Sequence, residues 1–250
     1  ELYGYAFLPN HGSMLIGVRD CNHLADVMSH IHSNIAREIG RREHSDWPGR
    51  FWSRRGRAAV ILSNEDFWAR MKTLLSRGTA EGYVAKPIRW PGAHCAPALC
   101  GGQPDVGVWV DRTKLSQLRR RAAPDEEVEE MDAWDLYKIH INRLPFLRHL
   151  SDEEYRRHIV TLCQQIGDES QSPERQCAPH PLRLSELMRT SPHHSPSNRV
   201  EEKSDIVHCR NQRKREWFHR KYDLFVWTAR VARERVQLGD ALGARDARAD

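Results

Sequence analysis

Two apolar runs open the chain, LYGYAFL at 2–8 and SMLIGV at 13–18, separated by Pro9, Asn10, His11 and Gly12. That pattern predicts strand, turn and strand, or one long bent strand. Leu24, Val27, Met28, Ile31, Ile35 and Ile39 then recur at steps of three and four, marking one face of a helix that Gly40 closes. A basic connector, RREHSDWPGRFWSRRGR, leads into a short strand candidate, AAVIL. The next helix takes Asn64 as its cap, buries Phe67, Trp68, Met71, Leu74 and Leu75, and ends at Gly78. The β-α-β-α order predicts a small α+β sheet domain over residues 1–100.

Beyond Gly101 and Gly102 the character changes. An acidic run from Asp125 to Asp132 precedes a weakly apolar stretch that lasts to Leu150. A helix is expected over 152–166, starting at Ser151 and carrying Tyr155, Ile159, Leu162 and Ile166. Residues 167–208 are rich in Pro, Ser and His and read as a linker without a fixed fold. A last helix, about 213–238, carries Trp217, Lys221, Leu224, Phe225, Thr228 and Val231 along one side. The expected organisation is a domain at 1–100, a helical extension at 101–166, the linker at 167–208 and a basic amphipathic helix at 209–250. The chain begins at Glu1, inside a strand-like segment, which reads as a truncated start.

Composition adds a polar bias. Hydrophobic residues make up 39% and charged residues 29%, with a mean hydropathy of -0.72, so part of the length is expected to be loosely folded. The formal net charge of +5 favours an anionic partner without identifying one. Six cysteines form no CxxC pair. Cys95 and Cys100 with His94 lack the second tight pair usual in zinc modules, so reduced thiols in a cytoplasmic protein are expected. No apolar run is long enough to span a bilayer, and no signal peptide is evident.

Four stretches fall in a telling order: YGYAFLPNHGSML, then Trp52-Ser53-Arg54-Arg55, then MKTLLSRGTAEGYV, then Ile88-Arg89-Trp90-Pro91-Gly92. Together they resemble the REP-associated tyrosine transposases, members of the HUH single-strand DNA transposase superfamily. The resemblance covers residues 1–100, with the first strand and helix of the usual domain missing. It implies a ferredoxin-like small antiparallel sheet with helices packed on it, followed by a mostly helical C-terminal extension.

In active members of that family a Pro-Asn-His-x-His strand holds a divalent metal, Mg or Mn. Side chains alternate along a strand, so residues two apart face one side and can grip a single cation. A helix-borne tyrosine attacks the DNA phosphate, and a third ligand sits one helical turn further on. Here the resemblance puts His11 and Ser13 at the first two ligand positions, Thr73 at the nucleophile and Arg77 at the third ligand. Only His11 is of the expected type. An alkyl alcohol ionises less readily than a phenol, and a guanidinium offers no lone pair to a metal. Loss of a covalent nucleophile costs on the order of 10⁴–10⁶ in rate. Tyr83, ten residues after Thr73, is the conceivable substitute. The reading is a DNA-binding derivative without cleavage and without a metal, and an active DNA transposase or a decayed gene product stay open beside it.

Seven arginines lie between Arg37 and Arg57, interleaved with Trp47, Phe51 and Trp52. Arginines neutralise phosphates while aromatic faces stack on unpaired bases. With the resemblance, Arg41, Arg42, Arg50, Trp52, Arg54, Arg55 and Arg57 are the candidate contacts to single-stranded or hairpin DNA. Arg210, Arg213, Lys214, Arg215, Arg220 and Lys221 form a second cluster that reads mainly as a solvated helix face. His193, His194 and His208 read as solvent-exposed linker residues. Active relatives work as dimers or as monomers with an extension, so a homodimer stays open.

Overall fold

A computed structural model describes residues 1–42, 51–52, 56–123, 126–171, 184–189 and 206–246. The chain divides into two compact units, Glu1–Arg54 with Trp68–Glu202, and Arg55–Phe67 with Lys203–Asp250. The architecture is α+β, with small antiparallel sheets, helices packed on them and a helical extension.

The first unit is built on a hairpin of β1 (Leu2–Phe7) and β2 (Gly12–Ile16). Ala6 faces Ser13 and Phe7 faces Gly12 in the register, and the Leu8 amide bonds the His11 carbonyl at 2.8 Å to close the turn. Tyr3, Gly4, Tyr5 and Ala6 are all buried, a run possible only where both faces of the strand are covered. The cover comes from α2 (Asn64–Leu75): a Cβ added at Gly4 would meet Met71 Sδ and Leu74 Cδ2, each at 3.4 Å. The free edge of β1 is taken by the segment before α4 (Ala96–Gly101), through Phe7 N to Ala93 O and Cys95 N to Tyr5 O, both 2.9 Å.

The AAVIL candidate forms only a two-residue strand, β3 (Val60–Ile61), and is not hydrogen-bonded into the hairpin. It pairs in parallel with β6 (Val207–His208), in the second unit.

Helix α1 (Cys21–Arg42) follows the expected stripe but runs through Gly40 rather than stopping there. A single interior glycine costs about 1 kcal/mol, too little to end a long helix. Its apolar face is half-buried, and polar contacts fasten it: His30 stacks on Trp109 with centroids 6.5 Å apart, and Arg112 reaches Glu38 at 2.9 Å. At the start of α2 the capping oxygen comes from Ser63, bonded by the Asp66 amide at 3.1 Å, and not from Asn64.

Gly78 likewise does not end a helix. It lies inside the short α3 (Arg77–Ala80), where an added Cβ would stand 3.0 Å from Trp90 Cε3 and 3.2 Å from Val84 Cγ2. The glycine is there to admit the indole, whose N–H bonds the Phe7 carbonyl at 3.0 Å.

The strands β4 (Asp105–Val110) and β5 (Trp134–Ile139) form a second antiparallel pair, with Val108 opposite Leu136. Helix α5 (Arg112–Arg121) lies between them in sequence, capped by Asp111, which accepts bonds from the Thr113 and Lys114 amides. Helix α6 (Asp152–Ser170) starts at Ser151 in a capping box with Glu154 and buries Tyr155, Ile159, Leu162, Cys163 and Ile166 against α4 and α3. A short α7 (Leu184–Arg189) is described within the expected linker.

In the second unit Asp66 is the organising side chain. It is buried, takes the Ser63 hydroxyl, and accepts the Arg210 amide at 2.9 Å just before α8 (Gln212–Asp246). Burial alone would raise its carboxyl, but the bonds from Ser63, Arg210 and Cys209 prevail and hold it below the ordinary range. Trp217, Leu224, Phe225 and Trp227 stand exposed on α8. No helix among the described residues is long and apolar enough to cross a membrane.

Candidate functional site

His11 sits at the end of the hairpin turn, immediately before β2. Its Nδ1 lies 2.7 Å from Asn10 Oδ1, and its Nε2 lies 3.1 Å from Glu81 Oε1. Glu81 is almost fully buried, at 4% side-chain exposure against 26% for His11. The hairpin and the segment after α3 are therefore joined by a largely desolvated ion pair whenever His11 carries its proton. The approach is not a hydrogen bond: His11 Nε2 and the second Glu81 oxygen are both buried without a hydrogen-bond partner among the described residues.

Ser13 lies two residues on, in β2, half-buried and paired with Ala6. Thr73 belongs to α2. Met71, Leu74 and Leu75 are the buried face of that helix, and at 100° per residue Thr73 points roughly to the opposite side. Its hydroxyl donates to the Ala69 carbonyl at 2.9 Å. Among the described residues, no hydrogen bond or ion pair joins Thr73 to His11 or Ser13. Arg77, half-buried in α3, stands one helical turn before Glu81, so the residue that meets His11 comes from the same short segment.

The donor set does not suit a divalent cation. A guanidinium occupies one expected ligand position and a neutral hydroxyl another, while the third, His11, already faces a carboxylate through Nε2. Among the described residues no group of three His, Cys, Asp or Glu side chains is arranged to hold a metal. Tyr83 does not offer a replacement nucleophile. It is 2% exposed, its ring lies 5.9 Å from Trp90, and burial and then the Glu81 charge raise its pKa and keep the phenol protonated.

Sequence reasoning passed over Glu81, which stands in no recognisable motif, and weighed His94 only as a zinc ligand beside Cys95 and Cys100. His94 is buried at 2% exposure and accepts the Ala96 amide on Nδ1 at 3.0 Å. Burial pushes its pKa down to about 4, so it is neutral. Ala96 is the first residue of α4, so this bond serves to start that helix, a structural role and not a metal-binding one.

The candidate DNA contacts begin on α1. Arg37 and Arg41 are exposed, and Arg41 lies 3.6 Å from Glu38. Arg42 closes the helix. Trp52 is half-buried: its indole N–H donates to the His32 carbonyl at 2.9 Å, and its ring stands 4.8 Å from both His32 and Phe51. Trp52 is thus a tether to α1 as much as a free stacking face. Arg57 is exposed in the second unit. Arg50, Arg54 and Arg55 lie outside the described residues, as do His193 and His194.

Comparison with protein-family models, curated proteins and solved structures finds no match.

Proposed function

We propose that this protein is a transposase-derived DNA-binding protein that grips single-stranded or hairpin DNA and does not cut it. The grip comes from the basic end of α1 and the arginine-rich segment that follows it. The observation that carries the reading is the Trp52–His32 bond, which holds an aromatic ring against the helix presenting Arg37 and Arg41. Cations on a formed helix bind phosphates by releasing counterions, at a lower ordering cost than cations on a loose chain.

The absence of cleavage is supported by the chemistry of the four motif positions. The Thr73 hydroxyl donates within its own helix, His11 Nε2 faces the Glu81 carboxylate at 3.1 Å, and Arg77 brings a positive charge where a metal ligand would be needed. In active relatives Mg or Mn polarises the phosphate; no such step is assigned to this chain, and no cofactor is part of the proposal.

The test is fluorescence anisotropy with a labelled DNA hairpin and an unstructured strand, from 50 to 200 mM salt. Affinity is expected to fall steeply across that range, by about 0.7 log units per log salt for each phosphate neutralised on single strands. Affinity that ignores salt, or no binding at low salt, overturns the proposal. A denaturing gel with Mg or Mn present is expected to show no covalent protein–DNA adduct, and an adduct would restore the active-transposase reading. Sedimentation of the free and DNA-bound protein decides whether a homodimer forms.

A further inference from the structure

Cys100, near the end of α4, and Cys163, in the middle of α6, bring their sulfurs within 3.7 Å and share a hydrogen bond. Both helices belong to the first unit and pack directly against each other, so the pair is set by regular elements and not by a loop. A disulfide has an S–S length of about 2.05 Å, so the sulfurs have roughly 1.6 Å left to close. The two thiols differ in access: Cys163 is buried, at 4% exposure, whereas Cys100 is half-buried and open to a small reagent.

We propose that Cys100 and Cys163 are a reversible thiol–disulfide site, oxidised by a low-molecular-weight disulfide of the glutathione class. Their chemistry gives each sulfur a separate role. In the resting pair the Cys100 thiol donates to the Cys163 sulfur; once Cys100 ionises, Cys163 can donate back to its thiolate, which pulls the Cys100 pKa down, while that hydrogen bond and then burial push that of Cys163 up. Cys100 is the attacking group. Its thiolate displaces one glutathione from glutathione disulfide, forming a mixed disulfide, and the released thiolate takes up a proton. Cys163 then loses its proton to water and attacks the Cys100 sulfur, expelling the second glutathione, which is protonated in turn. The protein gives up two hydrogens and two electrons, and one glutathione disulfide becomes two glutathiones.

Cys95 is excluded from this chemistry. It is fully buried, at 0% exposure, with its sulfur packed beside Gly4, so it is inaccessible to the reagent.

The experiment treats the full native chain with glutathione disulfide, quenches with an alkylating agent, and maps tryptic peptides by mass spectrometry. The expected product joins the peptide holding Cys100 to the peptide holding Cys163, 2 Da lighter than the sum, and dithiothreitol separates them. Fragmentation assigns the bond to Cys100 and not Cys95. In Cys163→Ser the reaction is expected to stop at a glutathione adduct on Cys100, and in Cys95→Ala the cross-link is expected to persist. Cys100 left as a stable glutathione adduct in the wild type, both thiols unreacted, or a cross-link through Cys95 would each overturn the proposal. The wild-type map decides even where a variant fails to fold.

Discussion

The imidazole of His11 lies 3.1 Å from the buried carboxylate of Glu81, tying the hairpin turn to the segment that follows α3. Removing one partner of a desolvated pair leaves the other charge buried and uncompensated, which costs more than removing both. His11→Ala is therefore expected to destabilise the protein by roughly 1–3 kcal/mol, discounted because His11 is partly exposed. Glu81→Ala and the double variant complete a cycle read by urea unfolding. A coupling energy near zero would mean that the contact carries no stability.

His94 sets an acid limit on the first unit. Its pKa lies near 4 in the fold, against an ordinary 6.5, because burial disfavours the imidazolium. The unfolded chain therefore binds more protons between pH 6.5 and 4, and stability falls as pH drops through that window and levels off below it. The full effect is about 3 kcal/mol. Urea midpoints measured from pH 7 to pH 4 follow it, and His94→Gln is expected to flatten the slope.

The local elements were legible because their signals are local. The hairpin, the α1 stripe, the buried face of α2 and the Ser151 cap of α6 each announce themselves within a few turns of chain. The partner of β3 was not legible, because two residues of AAVIL pair with two residues near the other end of the chain. Gly40 and Gly78 misled for different physical reasons: a glycine in open space is simply tolerated inside α1 at Gly40, whereas Gly78 admits the Trp90 ring at close contact. At the candidate site, Pro-Asn-His context singled out His11, but Glu81 has neither periodicity nor motif spacing to connect it to the turn.

Gly78→Ala sets two effects against each other. Helix propensity favours alanine by about 1 kcal/mol. The new Cβ would stand 3.0 Å from an indole that its own bond to Phe7 holds in place, and such overpacking costs about 1–3 kcal/mol. The clash is expected to win, lowering the thermal midpoint. A rise would show that Trp90 yields freely.

Asp66 joins the cap of α2 to the backbone just before α8 within the second unit. Asp66→Ala leaves the Arg210 amide without its acceptor and is expected to cost about 1–3 kcal/mol in that unit. Hydrogen exchange localises the effect: the Arg210 amide should exchange faster while the β1–β2 amides keep their protection. Unchanged exchange at Arg210 would show that this bond does not hold the segment.

Phosphate contacts would set the salt slope of DNA binding as well as its affinity. Arg41 is paired with Glu38 only at 3.6 Å on an exposed surface, and Glu38 also serves Arg112, so the pairing is worth about 0–1 kcal/mol and does not withhold Arg41 from phosphate. If Arg37 and Arg41 each neutralise a phosphate, replacing either by Gln lowers the salt slope by about 0.7, and the double variant by about twice that. Thr73→Ala, on the opposite face of α2 from Met71 and Leu74, is expected to leave both affinity and slope unchanged. Trp52→Phe is the sharper probe, because it removes the bond to the His32 carbonyl while keeping an aromatic face. A weaker complex with an unchanged salt slope would assign Trp52 to tethering, whereas loss through Trp52→Ala but not through Trp52→Phe would assign it to base stacking.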